Sequence, residues 1–240
     1  VGMLGRSEDK MIQLQDEIDK DKIQTVRLVA DVLDKTALVQ AKANFNDKFG
    51  KVTVLINGAG GNDANATTND ETYDETGDHT FFDLTEEGVD KVFKLNYSGT
   101  FLPAQIFGKD VVESEKGTII NISSMNAFTP LTKIPAYSGA KASVSNFTQW
   151  LSTYFAGKIR VNAIAPGFFE TNQNKALLRN KDGSYSARAA KILSQTPMNR
   201  FGEPEEILGT LYWLMDYDMS GFVTGIVVPV DGGFSSYSGV

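Results

Sequence analysis

The 240-residue chain contains no cysteine and a single histidine, His79. Without cysteine it can form no disulfide, no thiolate nucleophile and no cysteine-ligated zinc site. Its net charge is −7 and it has no run of Lys or Arg, which argues against a nucleic-acid surface or an anionic-membrane surface. No apolar stretch reaches the roughly 18 residues that a membrane helix needs. We therefore expect a cytoplasmic protein that binds a small molecule, with no metal site and with His79 in a solvated or structural role.

Short β-branched segments alternate with amphipathic segments from end to end of the chain. Strands that are apolar throughout are typical of a parallel sheet covered on both faces, so we predict a single α/β domain with a doubly wound sheet in three layers. The predicted strands are residues 1–5, 25–30, 52–57, 118–123, 160–165 and 223–228, and the predicted helices are residues 8–19, 37–49, 86–112, 136–155 and 204–215.

Two long segments interrupt this alternation. Residues 60–84 are polar and rich in Asn, Asp and Thr, and residues 168–202 begin just after Pro166-Gly167. Both leave from the carboxyl ends of predicted strands, where ligands bind in open α/β sheets. We expect the two segments to cover a ligand cleft, with residues 168–202 as a substrate-binding lid.

The sequence Tyr137-Ser138-Gly139-Ala140-Lys141 indicates a proton-transfer site. Residues four apart on a helix lie on the same face, so the Lys141 ammonium should lie near the Tyr137 phenol. A neighbouring cation favours the phenolate and lowers a pKa that is ordinarily about 10. Taken alone, however, the same spacing also fits an ordinary pair on a helix surface.

Further short motifs accompany this pair, each at the end of a predicted strand or on the expected helix. They are Ala30-Asp31-Val32, Asn57-Gly58-Ala59-Gly60, Lys94-Leu95-Asn96, Ser124, Pro166-Gly167 with Thr171, and Asp231-Gly232-Gly233. Together they resemble the classical short-chain dehydrogenase/reductase family over essentially the whole chain, with Gly58 replacing the second asparagine of the family's Asn-Asn-Ala-Gly element. The resemblance implies a Rossmann-type fold and an NAD(P)-dependent oxidoreductase that acts on CH-OH groups.

The resemblance also implies roles for these residues. Ser124 would hold the substrate carbonyl and Tyr137 would transfer the proton. Lys141 would lower the Tyr137 pKa and bind the nicotinamide ribose, while Asn96 would bend its helix and hold a water that connects Lys141 to solvent. The remaining cofactor contacts would be Asp31 and Val32 at the adenine, Asn57, Gly58 and Ala59 after their strand, and Pro166, Gly167 and Thr171 at the nicotinamide carboxamide.

The choice between NAD and NADP depends on the end of the first predicted strand. An acidic residue there accepts the ribose hydroxyls of NAD, whereas arginine accommodates the 2′-phosphate of NADP. Here Gly5 occupies that position and Arg6 follows it. Arg6 therefore favours NADP, and its alternatives are stacking on the adenine or simple exposure.

A closer resemblance bears on the substrate. Residues 122–137, Gly60-Gly61-Asn62, residues 166–169 and Gly232-Gly233-Phe234 are similar to D-mannonate oxidoreductases, also called fructuronate reductases, which interconvert D-mannonate and D-fructuronate. We expect Ser124, Asn126 and a lid amide such as Gln173 to bind the sugar acid, and Lys133 or Arg179 to bind its carboxylate. For both cations the alternative is an ordinary surface charge.

Other functions remain open from the sequence. A gluconate 5-dehydrogenase or a 3-ketoacyl-carrier reductase would use the same catalytic residues, although the acidic chain lacks obvious basic residues for a carrier protein. A nonenzymatic ligand-binding or scaffold protein of the same fold is the alternative from another class. The family resemblance further implies homo-oligomers, tetramers or dimers, built from the long helices and the final strand.

The chain begins on a predicted strand, with no glycine-rich strand-turn-helix unit before it. In the family that the chain resembles, the first strand lies between the strands predicted at residues 1–5 and 52–57. Without it, the backbone groups of these two strands would be left unpaired. We therefore expect an N-terminally incomplete domain, with about 30 to 40 further residues upstream in the natural polypeptide, enough for a strand, a glycine loop and a helix.

Overall fold

The computed structural model describes residues 1–19, 23–171 and 178–239, in which all strand pairings are parallel. One ladder joins β1 to β2, and a second runs in the order β3-β4-β5-β6. The α/β class predicted from the sequence is confirmed. The strands are β1 (Gly2–Gly5), β2 (Val26–Val29), β3 (Val54–Asn57), β4 (Thr118–Ile122), β5 (Arg160–Pro166) and β6 (Val227–Val230).

The helices begin where the sequence supplies capping groups. The Asp34 carboxylate accepts a hydrogen bond from the Ala37 backbone N–H at 3.0 Å, and the Thr85 hydroxyl accepts one from Gly88 N at 3.0 Å. None of the helices in the described ranges is long and apolar enough to cross a membrane. The helices are α1 (Glu8–Asp19), α2 (Lys35–Phe49), α3 (Glu86–Phe93), α4 (Gly99–Val112), α5 (Pro135–Tyr154), α6 (Ala187–Ser194), α7 (Leu208–Met215) and α8 (Tyr217–Ser220).

The sheet is buried on both faces. Ile119 and Ile120 are neighbours in β4 and therefore point to opposite faces, yet both are fully buried. Ile119 belongs to the core cluster that also contains Phe107 of α4 and Phe147 of α5, whereas Ile120 packs in the cluster of Leu214 of α7. Burial on both sides explains why the strands are apolar throughout.

The segment predicted as one helix, residues 86–112, contains a π-helical turn. This turn spans Lys94–Ser98 and separates α3 from α4. Single π turns widen a helix locally and occur often at functional sites. The helical segment predicted at residues 86–112 is present, and the local irregularity expected at Asn96 takes the form of this π turn.

The last strand begins four residues later than the prediction of residues 223–228, at Val227. The preceding segment is joined to β5 by backbone hydrogen bonds, such as Gly225 N to Val161 O at 2.8 Å, and by side chains: Thr224 Oγ1 accepts from Val161 N at 3.0 Å, and Asn162 Nδ2 donates to Val223 O at 3.0 Å. Gly225 adopts φ +78°, a conformation that favours glycine. The apolar residues of this segment therefore belong to a turn, and regular pairing starts only after it.

A cavity of about 890 Å³ lies between the two ladders, bordered by β1 and β3. Among the described strands, β1 pairs only with β2, and β3 pairs only with β4. The expectation that a further strand belongs between them stays a prediction, and so does the expectation of additional upstream chain.

A buried ion pair joins α2 to α4. The Lys42 ammonium lies 2.5 Å from Asp110 Oδ1, and Asn46 Nδ2 donates to Asp110 Oδ2 at 2.8 Å. Burial favours the neutral acid, but the hydrogen bonds from Lys42 and Asn46 outweigh it and hold the pKa of Asp110 below its ordinary value. The carboxylate is only 4% exposed, so its loss would leave Lys42 without a counterion.

We expect Asp110→Ala to lower the free energy of unfolding by about 3 kcal/mol, because removing one partner of a buried pair strands the other charge. Urea denaturation at fixed protein concentration measures the effect, and Glu113→Ala, which removes an exposed partner of Lys51, should change little. A depressed pKa stabilises the fold above the ordinary carboxyl pKa of about 4, so the difference between wild type and Asp110→Ala should shrink as the pH falls below that value. Equal effects of the two substitutions would contradict this assignment.

Candidate active site

The predicted catalytic residues meet beyond the carboxyl ends of β3 and β4. Asn96 is fully buried, Lys141 is 3% exposed and Ser124 is 8% exposed. Tyr137 and Lys141 lie on the first turns of α5, and Ser124 follows β4. The topology thus brings together residues that are up to 45 positions apart in the sequence.

The Ser124 hydroxyl lies close enough to the Tyr137 phenol to affect its pKa. Ser124 has an extended backbone and caps the short turn Met125–Ala127, and its Oγ accepts a hydrogen bond from Asn126 N at 3.3 Å. Burial raises the pKa of Tyr137 above its ordinary value, and the hydrogen bond with Ser124 opposes this only in part. The phenol therefore keeps its proton at neutral pH.

The position of Lys141 corrects the sequence prediction for this pair. Its Nζ donates to the Ile122 carbonyl at 2.8 Å and lies 5.8 Å from the centre of the Tyr137 ring. Burial lowers the pKa of Lys141 to about 8, because the ammonium is removed from water. The predicted lowering of the Tyr137 pKa by Lys141 is wrong for this structure, since burial of the phenol dominates and the opposing effect comes from Ser124.

Asn96 fixes the turn after β3. Its Nδ2 donates to Gly61 O at 2.7 Å and to Val92 O at 2.8 Å, while its Oδ1 accepts from Gly61 N at 3.2 Å. A side chain at Gly60 would not fit, because a Cβ there would lie 2.6 Å from Asn96 Oδ1 and 3.0 Å from Lys141 Nζ. Glycine is therefore required for this close approach, and the water expected on Asn96 stays a prediction.

Asn57 binds toward the interior of the protein. Its Nδ2 donates to Asn121 Oδ1 at 2.9 Å, and Asn121 Nδ2 donates to Thr148 Oγ1 at 2.9 Å. This buried chain of polar groups connects β3, β4 and α5. Sequence reasoning missed Asn121 and Thr148, although a polar residue inside an apolar strand was a signal for the first of them.

The residues predicted to bind the adenosine half of a cofactor line the cavity between the ladders. Arg6 Nη1 lies 3.9 Å from Asp31 Oδ2 and its side chain is 75% exposed, so the guanidinium is accessible there. A Cβ at Gly58 would approach Ile122 Cγ1 no closer than 3.8 Å, so the backbone at Gly58 is open. These residues lie at the carboxyl ends of β1, β2 and β3, at one end of the cavity, where they would hold the adenosine half of a dinucleotide. The predicted residues that line this cavity are Arg6, Asp31, Val32, Asn57, Gly58 and Ala59.

The residues predicted at the nicotinamide lie at the end of β5. Pro166 is the last residue of that strand, and Gly167 N donates to Val230 O at 2.9 Å. A Cβ at Gly167 would lie 2.6 Å from Asp231 Cα, so only glycine fits between β5 and the chain after β6. Thr171 lies just beyond, at the start of the lid.

The predicted substrate residues have different surroundings. Asn126 is 4% exposed, and within the described part of the chain its carboxamide forms no hydrogen bond. Lys133 Nζ donates to Asn69 O at 2.6 Å. Arg179 forms a two-pronged ion pair with Glu170, at 2.9 Å and 2.7 Å, and a substrate carboxylate would have to compete with Glu170. Gln173 lies outside the described residues.

His79, for which the sequence predicts a solvated or structural role, lies in the polar segment after β3. It adopts φ 56°, and its carbonyl accepts a hydrogen bond from Asn69 N at 3.1 Å. Within residues 1–19, 23–171 and 178–239 no group of three or more His, Asp or Glu side chains could hold a metal ion.

We expect Gly60→Ala to destabilise the site, because the added methyl group overlaps the Asn96 carboxamide and presses on Lys141. Overpacking of this kind typically lowers the free energy of unfolding by about 1–3 kcal/mol. Gly209→Ala is the control: no atom lies within 4 Å of its Cβ position, so it should be neutral or slightly stabilising. Chemical denaturation of the variants checks this, and a neutral Gly60→Ala would show that the contact is not tight.

We also expect the stability of the protein to depend on pH through Lys141. Its pKa is about 8 in the fold and 10.5 ordinarily, so between these values the unfolded chain binds more protons and stability rises with pH. Lys141→Met has no titrating amine at this position. Relative to the variant, the free energy of unfolding of the wild type should therefore rise by on the order of 3 kcal/mol from pH 8 to pH 10.5. Parallel pH profiles of the two proteins would refute the buried, weakly basic amine.

Comparisons with known proteins agree with this geometry. A family model described as enoyl-(acyl carrier protein) reductase matches residues 3–235. An uncharacterized oxidoreductase of Bacillus subtilis, UxuB, is 52% identical over 242 residues, which cover 100% of this chain and 87% of that protein.

Solved structures extend the similarity to the whole fold. A candidate D-mannonate oxidoreductase from Haemophilus influenza, crystallised with bound NAD, has a TM-score of 0.94 and 50% identity and is matched over 100% of this chain and 87% of its own. A gluconate 5-dehydrogenase from Burkholderia cenocepacia, in complex with NADP and tartrate, has a TM-score of 0.82 and 25% identity over 98% of this chain and 85% of its own. With the serine, tyrosine, lysine and asparagine brought together at one end of a parallel sheet, the chain belongs to the short-chain dehydrogenase/reductase family of NAD(P)-dependent oxidoreductases acting on CH-OH groups.

Proposed function

We propose that this enzyme interconverts a hydroxyl and a ketone on a sugar acid, with D-mannonate and D-fructuronate as the substrate pair. The observation that carries the proposal is the full-length similarity to the candidate D-mannonate oxidoreductase at 50% identity. The similarity to gluconate 5-dehydrogenase supports the broader class of sugar acids. A cytoplasmic location and a place in hexuronate breakdown belong to the same proposal.

The residues of the site suit the reduction of a ketone. NAD(P)H, when bound, supplies the hydride. Negative charge would then develop on the substrate oxygen, and the hydroxyl groups of Ser124 and Tyr137 would donate hydrogen bonds to it. Because burial keeps the phenol protonated at neutral pH, Tyr137 is the proton donor in this direction. In the oxidation direction it must first lose that proton.

Lys141 supports proton transfer and cofactor binding in this proposal. Its amine has a pKa of about 8, so it can gain or lose a proton near neutral pH. Together with Asn96 it would hold the nicotinamide ribose and connect Tyr137 to solvent. Arg6, whose Nη1 lies 3.9 Å from Asp31 Oδ2, would favour NADP. The Haemophilus relative, in contrast, was crystallised with NAD.

The substrate hydroxyls would be bound by amides. Asn126 is buried next to Ser124, and its carboxamide has no hydrogen-bonding partner among the described residues. A carboxamide has both donor and acceptor groups to offer to the hydroxyls of a polyhydroxy substrate. Gln173 is proposed to act with it. Of the two cations predicted for the carboxylate we retain Arg179, which is paired with Glu170; Lys133 donates to Asn69 O within the protein.

We further propose a homo-oligomer, a tetramer or dimer, that assembles through α4 and α5. Trp150 is 55% exposed and Tyr154 is 67% exposed on α5, and their rings stack 5.0 Å apart. Exposed aromatic surface of this kind is typical of a subunit interface.

A substrate panel tests the proposed function. We expect the enzyme to oxidise D-mannonate with NAD⁺ or NADP⁺ at a higher kcat/KM than D-gluconate, and to reduce D-fructuronate in preference to an acetoacetyl thioester. Tyr137→Phe should lower kcat by about 10²- to 10⁴-fold, since it removes the acid that donates the proton. Tyr154→Phe, on the same helix but exposed, is the matched control. A clear preference for the acyl thioester would overturn the proposal.

A further inference from the structure

The polar segment after β3, residues 61–84 and hereafter the insertion, packs directly on the catalytic helix. Ala66 is fully buried in the cluster of Val92, Ala136 and Ala140, against which Tyr137 also packs. The insertion therefore packs against α5 next to Tyr137. A shift of the insertion would reach Tyr137 through this packing.

Lys133 attaches the insertion to the loop between Ser124 and Tyr137. Its carbonyl accepts a hydrogen bond from Thr68 N at 2.9 Å, and its Nζ donates to Asn69 O at 2.6 Å. Lys133 also has φ 73°, which residues other than glycine rarely adopt. Such a conformation persists where surrounding contacts over-determine it, and here the main chain and the side chain of one residue both bind the insertion.

Lys191 attaches the insertion from the other side of the cleft. Its ammonium forms an ion pair with Glu71, and it lies on α6. Ala189 and Ile192 of α6 are buried in the cluster of Leu178 and Phe201, so the helix packs within the lid. The hydrogen bond from Lys191 holds the pKa of Glu71 below its ordinary value. The insertion is thus connected both to the catalytic loop and to α6.

We propose that Lys133 and Lys191 are positioning residues that fix the insertion over Tyr137 and thereby set the fit of the substrate. Lys133 acts through Thr68 and Asn69, and Lys191 acts through Glu71. In this assignment Lys133 does not bind the substrate carboxylate. The kinetic consequence rests on the proposed sugar-acid activity, whereas the contacts themselves do not.

Steady-state kinetics with D-mannonate and with its uncharged amide separate the two roles of Lys133. For Lys133→Met we expect KM to rise about tenfold or more for both compounds by the same factor, because hydrogen bonds from charged groups are among the stronger ones. Lys133→Gly, which relieves the backbone strain but also lacks the ammonium, should show the same rise. Lys116→Met, which removes an exposed partner of Asp218 at 2.9 Å, is the control and should leave KM unchanged. A rise confined to the acid would overturn the proposal and make Lys133 a carboxylate ligand.

Charge reversal tests the contact between Glu71 and Lys191. The pair is partly exposed, so Glu71→Lys and Lys191→Glu should each raise KM only up to about fivefold. The double variant should restore KM close to the wild-type value. Additive defects in the double variant would overturn the pairing.

Hydrogen exchange provides a readout that needs no substrate. In Lys133→Met the amides of residues 66–71 should exchange faster than in the wild type, while those of β4 should not change. Unchanged exchange in the insertion would overturn the proposal. If D-mannonate is not turned over by the wild type but exchange responds as expected, the proposed substrate fails and the positioning role stands.

Discussion

The site depends on one reciprocal contact, in which the Asn96 carboxamide binds both the N–H and the carbonyl of Gly61. The two hydrogen bonds to the backbone N–H and carbonyl of Gly61 fix the direction in which the chain leaves β3. Asn96 itself lies in the π turn. Gly60 then passes so close to Lys141 Nζ that no side chain fits. The amine, the asparagine and the turn are therefore one unit, and displacement of any of them would disturb the others.

A second set of buried polar groups fixes the ends of β3 and β4 relative to each other. Asn57, Asn121 and Thr148 connect β3, β4 and α5 through hydrogen bonds that water cannot replace. In a low-dielectric interior a satisfied chain of this kind is rigid, and a broken one is costly. Because Ser124 lies three residues beyond Asn121 and Tyr137 lies on the helix of Thr148, this chain also limits how far the two catalytic hydroxyls can separate.

Much of this arrangement could be predicted from the sequence, because motif order and apolar strands together define the sheet and the residues at its carboxyl edge. Contacts made by individual side chains could not. Before β6, Asn162 and Thr224 form side-chain hydrogen bonds between the irregular segment and β5, which the apolar pattern does not reveal. A four-residue spacing places Lys141 and Tyr137 on one face, but it does not reveal that the ammonium turns to the Ile122 carbonyl and that burial dominates the phenol pKa. The helix α6 within the lid was missed, although Ser186 as N-cap and the amphipathic run after it are a signal for a helix; its contact with Glu71 has no such signal.

The two tryptophans of the chain stand in different environments, and this gives the protein an intrinsic optical probe. Trp213 packs into the core under the sheet, whereas Trp150 is exposed and stacked on Tyr154. Emission from Trp213 should follow unfolding of the sheet, while emission from Trp150 should shift to shorter wavelength when a partner surface removes it from water. Replacing one indole at a time would therefore separate folding of the subunit from its assembly without an added label.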